Sequence, residues 1–180
     1  MKRLLSAGLP GLLLLTGAMA RAQTHAPLAT NGTNHATFNG FELEEKIRAK
    51  CIAERRSICG RIVKILPGGL VVESGYPSLQ RLPLSRSWLV PGTVQAQRDA
   101  TLVESKEPGT IGVGLVYLTD FPKSKRLKPK LYDYVVIEAF PEGEYTYASV
   151  GEVHHTVRHF SATLEEAVRA DWEEAVKTKQ

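Results

Sequence analysis

The sequence predicts a mainly β protein, a small antiparallel barrel or sandwich flanked by an N-terminal and a C-terminal α-helix. Two observations carry this. From Gly60 to Phe160, short runs rich in Val, Ile, Leu, Thr and Tyr are punctuated by Pro67-Gly68-Gly69, Pro91-Gly92, Pro108-Gly109 and Pro141-Glu142-Gly143. Pro presets one turn position and Gly takes the left-handed one, so this texture reads as strands joined by tight turns. On either side the apolar period changes to four, through Leu43, Ile47 and Cys51 before the β stretch and Leu164, Val168, Trp172 and Val176 after it. That is the spacing of one helix face.

The chain opens with Met1-Lys2-Arg3, an apolar run from Leu4 to Ala18, and small residues at spaced positions in Ala18-Met19-Ala20 and Ala20-Arg21-Ala22. This is the three-part pattern of a secretory signal over residues 1–22, and the run is short for a membrane span. The expectation is an exported protein, periplasmic or secreted, that does not span the membrane once the signal is removed. Cleavage after Ala22 leaves 158 residues, enough for one domain with a core. It removes Lys2, Arg3 and Arg21 and no acid, so 20 bases face 19 acids and the formal charge falls from +4 to +1. A net field that weak argues against nucleic-acid binding by the whole surface.

Residues 23–38 read as a disordered linker, rich in Thr, Asn, Ala and His with no apolar period. A single domain over 39–180 follows, with a helix at 39–56, a barrel at 60–160 and a helix at 163–177. Asn39 suits an N-cap, with Glu42 three residues on. The helix runs from Gly40 to about Arg55, Ile52 adding to its apolar face and its mixed charges facing water. Ile111, Val113, Leu115 and Tyr117 alternate with Gly112 and Gly114 as another strand. Phe140 to Glu144 fits a three-residue hairpin loop closed by a Gly bulge, which sets Phe140 opposite Glu144, Ala139 opposite Tyr145 and Ile137 opposite Tyr147. In that register Val135, Ile137, Ala139, Tyr145 and Tyr147 share one buried face. Thr163 with Glu166 forms a capping box for the last helix. Its apolar stripe docks on the domain or, alternatively, on a partner.

The segment from Gly60 to Gly75, with Pro67-Gly68-Gly69 at its centre, resembles the opening hairpin of small OB-like or SH3-like barrels in exported bacterial proteins. Tyr134 to Gly151, followed by His155 to Arg158, resembles their closing hairpin. The resemblance covers about residues 60–160 and implies a small antiparallel β-barrel. Those domains are largely of unknown function, so it implies a fold and assigns no functional residue.

Chemistry-bearing residues are few. Cys51 and Cys59 are the candidate disulfide in an oxidising compartment. On one helix the spacing would hold them about 12 Å apart, beyond bridging range, so a bond needs the helix to stop soon after Cys51 and the chain to fold back. The alternative is two small buried hydrophobes. His154, His155 and His159 are the best metal candidates, yet on a strand His155 and His159 stand about 13 Å apart, too far to share one zinc. No nucleophile elbow, phosphate loop, dinucleotide fingerprint or zinc-helix motif occurs, and nothing calls for a cofactor.

One local concentration of charge stands out. Lys123, Lys125, Arg126, Lys128 and Lys130 put five cations in eight residues, kept non-helical by Pro122 and Pro129. This loop is either an anion-binding site, for lipid headgroups, cell-wall polymer, an acidic partner or nucleic acid, or a solvated loop that keeps strand edges apart. The sequence therefore points to an exported non-enzymatic binding or interaction module of the bacterial cell envelope, its partner a protein or an envelope polymer. One alternative is an OB-type nucleic-acid or polyanion binder using the 123–130 loop with Tyr132 and Tyr134. The other is an enzyme of unrecognised type.

Overall fold

The computed structural model describes residues 40–81, 88–123, 128–149 and 151–178, all within a compact unit spanning Phe38–Gln180. The segments expected to be a signal (1–22) and a linker (23–38), the expected cap Asn39, Lys125 and Arg126 lie outside the described residues. In chain order come helix α1 (Gly40–Glu54), strands β1 (Arg56–Leu66) and β2 (Gly69–Ser74), a 3-10 turn (Pro77–Gln80), strands β3 (Leu89–Val90), β4 (Gly114–Thr119), β5 (Tyr134–Ala148) and β6 (His154–Ser161), and helix α2 (Leu164–Lys177). The protein is mainly β with two helices, as the turn spacing predicts.

The strands form one sheet in the order β1-β2-β4-β6-β5-β3, and β1 also pairs with β5. The pairings thus return to the first strand. Neighbours run antiparallel except β4 and β6, which run parallel from Val116↔Arg158 to Thr119↔Ser161. Side chains alternate across each strand. Ile58, Ile62, Leu70, Val72, Val116, Leu118, Val135, Ala139 and Phe160 meet on one face as the main core. Val71, Tyr117 and Val157 gather on the opposite face with Tyr145 and Tyr147 beside them. The strand expected from Ile111 to Tyr117 forms only over Gly114–Thr119. Val116 and Leu118 enter the main core and Tyr117 is buried on the opposite face, while Leu115 is exposed.

The closing hairpin centred on Pro141-Glu142-Gly143 is not formed. Tyr134–Ala148 is one continuous strand. Its first half pairs with β1, from Arg61↔Tyr134 to Arg56↔Ala139, and its second half pairs with β6, from Phe140↔Ser161 to Ala148↔His154. The Pro-Glu-Gly tripeptide makes a bulge between Pro141 and Gly143, with Gly143 left-handed at φ 102°. A bulge bends a strand where a turn would reverse it, and it tolerates the missing Pro donor. Val135 and Ala139 therefore face the main core, whereas Tyr145 and Tyr147 pack on the opposite face. Strand β1 begins at Arg56, earlier than the Gly60 start expected from sequence, because Arg56–Cys59 pair with β5.

The helices pack on each other. Leu43, Ile47 and Cys51 of α1 meet Leu164, Ala167, Val168, Trp172 and Ala175 of α2, with Phe140 of β5 beneath. The α2 stripe is thus covered by the protein's own first helix. Ile52 is 39% exposed and falls off the α1 apolar face. Thr163 makes no capping bond through its side chain; Ser161 Oγ instead accepts the Thr163 N–H at 3.1 Å, and Glu166 pairs with Arg169.

Cys51 and Cys59 are both free and buried, so the candidate disulfide is absent. Helix α1 does end soon after Cys51, but the chain leaves it as an extended strand. Each strand residue advances about 3.3 Å and none folds back. Cys51 lies between the helices, while Cys59 joins Tyr76, Leu79, Val90 and Tyr134. Burial pushes the Cys59 thiol up to about 11, which makes it a buried hydrophobe at neutral pH.

The long connection before β4 is tied down by one carboxylate. Glu104 accepts from Arg158 at 2.7 and 2.8 Å, from Arg56 at 3.0 Å and from the Val113 N–H at 2.9 Å. Burial alone would raise its pKa, but the Arg158 and Val113 hydrogen bonds and the Arg56 contact outweigh it and hold Glu104 at about 2.

Candidate functional site

Three strands and α2 converge on an open cleft of about 350 Å³, floored by Tyr117 and lined by Thr119, Asp120, Glu142, His159, Glu166, Arg169 and Glu173. Tyr117 reaches the floor because Gly69 lies beneath it. A Cβ at Gly69 would strike the Tyr117 ring. The ring then stacks on Tyr145, with centroids 3.8 Å apart and planes at 15°, and sits 5.0 Å from the His159 ring. The aromatic row continues along the same face, where Tyr147 stacks on His155 and Lys64 Nζ lies 4.8 Å over Tyr147.

The β5 bulge delivers Glu142 into the cleft, where its side chain is only 9% exposed. Its Oε2 lies 3.1 Å from Nε2 of His159 on β6. Asp120 follows β4 in a left-handed conformation, φ 52°, and accepts hydrogen bonds from Thr119 Oγ1 at 2.8 Å and Ser161 Oγ at 2.9 Å. Thr119 Oγ1 is also 3.1 Å from His159 Nε2. A hydroxyl has one proton. With that proton given to Asp120, Thr119 offers His159 a lone pair, which selects the tautomer protonated at Nε2.

The 3.1 Å approach is that of an ion pair, but the surroundings favour neutral partners. Burial, then the charges of Asp120 and Glu166, raise Glu142 to about 7. Burial lowers His159, against a smaller opposing pull from Asp120. Both shifts favour a carboxylic acid beside a neutral imidazole over the charged pair. Such a cleft can hold one proton, donate from Glu142 and accept at Asp120. Two residues whose environments separate their protonation, in a cleft beside an aromatic floor, mark a functional-site candidate.

The residues singled out from sequence are dispersed. Lys123, Lys128 and Lys130 are exposed and line no part of the cleft, while Lys125 and Arg126 fall outside the described residues. His155 and His159 do share one face of β6; His155 contacts Ser149 Oγ at 3.0 Å, and His159 alone enters the cleft. Among the described residues no group of three or more His, Cys, Asp or Glu side chains is placed to hold a metal ion. No described helix is long and apolar enough to cross a membrane. Glu142, Asp120 and Tyr117 are the site residues that sequence reasoning missed. Reading Pro141-Glu142-Gly143 as a turn puts Glu142 at an exposed tip, and only the long-range pairing of β5 buries it.

No protein-family model, curated protein or solved structure matches the chain.

Proposed function

We propose that the protein is an exported, non-enzymatic binding module of the cell envelope that seats its ligand in the Tyr117 cleft. The observation that carries this reading is the convergence of Asp120 just after β4, Glu142 in the β5 bulge and His159 on β6 over one aromatic floor. The rim holds Asp120, Glu142, Glu166 and Glu173 against Arg169, so it favours a polar ligand rich in hydroxyl, amide or amine donors, such as an envelope glycan or its peptide. An OB-like barrel is the fold we attach to it. The return of the pairings from β5 to β1 and the single parallel step support that choice over an SH3-like one. The apolar leader, Met1 to Ala22, supports export.

The test is a heteronuclear NMR titration of the chain with soluble peptidoglycan fragments. Shifts centred on Thr119, Glu142, His159 and Arg169, lost in Glu142→Gln, are expected. Shifts elsewhere, or none, contradict the reading. A second reading, a nucleic-acid or polyanion binder using the 123–130 loop, draws support from the exposure of Lys123, Lys128 and Lys130. Retention on heparin that disappears in Lys128→Glu/Lys130→Glu is its expected signature.

A further inference from the structure

A second surface, remote in chemistry from the cleft, is built at the turn leading into β5. Leu131 is 52% exposed and Tyr132 62% exposed, side by side. Tyr132 holds a left-handed backbone, φ 71°, a conformation that strains a bulky residue and that Gly adopts freely. The turn is pinned in this shape. Tyr132 N–H donates to Ile62 O at 2.9 Å, Ile62 N–H to Asp133 O at 2.8 Å, and Asp133 N–H to Lys130 O at 3.2 Å. The Asp133 carboxylate accepts from the N–H groups of Gly92 and Lys130, each at 3.0 Å. It is therefore occupied by the backbone. Lys128 and Lys130 stand exposed beside the turn, and the Arg61 guanidinium lies 5.8 Å over the Tyr132 ring.

A strained, rigid turn that presents two large apolar side chains to water, flanked by cations, is a costly way to make a loop. We infer that the Leu131–Tyr132 turn is an interfacial anchor that seats the protein on an anionic phospholipid surface. Leu131 and Tyr132 enter the headgroup boundary while Lys128 and Lys130 meet the phosphates. Charge complementarity selects an anionic partner, and the apolar pair selects a bilayer among anions. A nucleic acid or an acidic glycan offers a stacking partner to Tyr132 but no apolar medium to Leu131. This inference shares its cations with the polyanion reading above and is independent of the cleft, so either can fail alone.

The experiment is vesicle binding by the full chain at about 150 mM salt, near physiological screening. The vesicles are phosphatidylcholine alone or phosphatidylcholine with phosphatidylglycerol. An environment-sensitive fluorophore on Leu131→Cys reports the turn itself, so contacts made by other segments do not register. The expected result is a blue shift with the anionic vesicles only. Lys128→Glu/Lys130→Glu should weaken the partitioning by at least tenfold, since each cation near such a surface contributes roughly fivefold. Tyr132→Gly keeps or raises the melting temperature, because Gly suits the left-handed position, yet should lower anionic-vesicle partitioning several-fold, read by co-sedimentation. Equal binding to both vesicle types overturns the inference. So does vesicle binding untouched by Tyr132→Gly, or binding to heparin or single-stranded DNA with none to vesicles.

Discussion

Glu142 and His159 meet with Oε2 and Nε2 3.1 Å apart in a cleft where the Glu142 side chain is 9% exposed. Asp120 and Glu166 face the pair with further negative charge, and Arg169 opposes them. The pair lies where the β5 bulge, the β6 strand and α2 come together, so the protonation of one carboxyl bears on the seating of the second helix.

That protonation should appear in stability. Glu142 titrates near 7 when folded and near 4.5 when unfolded, so the folded state holds the extra proton between these values. Its contribution is full below about pH 4.5 and is lost as pH rises through 7. His159, lowered from 6.5, acts in the opposite sense and loses stability on acidification. Glu142→Gln removes the first effect alone. Urea titrations from pH 5 to 8 should show the native chain losing on the order of 2 kcal/mol relative to Glu142→Gln. Parallel curves for the two proteins would rule the linkage out.

Glu104 behaves in the reverse direction. Held at about 2 by Arg158, Val113 and Arg56, it contributes stability above about pH 4.5 that disappears as pH falls toward 2. Glu104→Gln leaves two guanidinium groups without their anion, at a cost of about 2 kcal/mol near neutral pH. Chemical denaturation checks the value, and a variant as stable as the native chain would show that the loop is held by other contacts.

Gly69→Ala drives a methyl into the Tyr117 ring. A loss of about 1–3 kcal/mol is expected from overpacking. The double variant Gly69→Ala/Tyr117→Leu should recover much of it. If Gly69→Ala alone melts with the native protein, the cleft floor is not set by this contact.

Both thiols should be silent in the folded chain and present after unfolding. Without reductant, Ellman's reagent is expected to find no fast-reacting thiol at pH 8 and two in denaturant. Two buried free cysteines require that result, whereas none in denaturant would mean a bond.

The helices and the β content were legible because both are written in local periods. Leu43, Ile47 and Cys51 repeat at helical spacing whatever they pack against, and they do face α2. The path of β5 was not legible. Pro141-Glu142-Gly143 serves a tight turn and a strand bulge equally well, since both need a left-handed Gly. What decides between them is the pairing of Arg56–Arg61 with Tyr134–Ala139, a contact between distant segments with no local signature. The cleft was hidden for the same reason. Asp120, Glu142 and His159 are far apart in sequence and adjacent only through the β4–β6 and β5–β6 registers. The lysine loop, by contrast, was conspicuous in sequence because its charges are contiguous.

The most direct measurement is a carboxyl carbon-13 titration of Glu142 in the folded chain, assigned by its loss in Glu142→Gln. A midpoint near 7, with the Glu142 and His159 signals shifting together, is the expected result for a buried acid and imidazole facing Asp120. A midpoint near 4.5 would mean an ordinary solvated carboxylate and would remove the cleft as the functional centre.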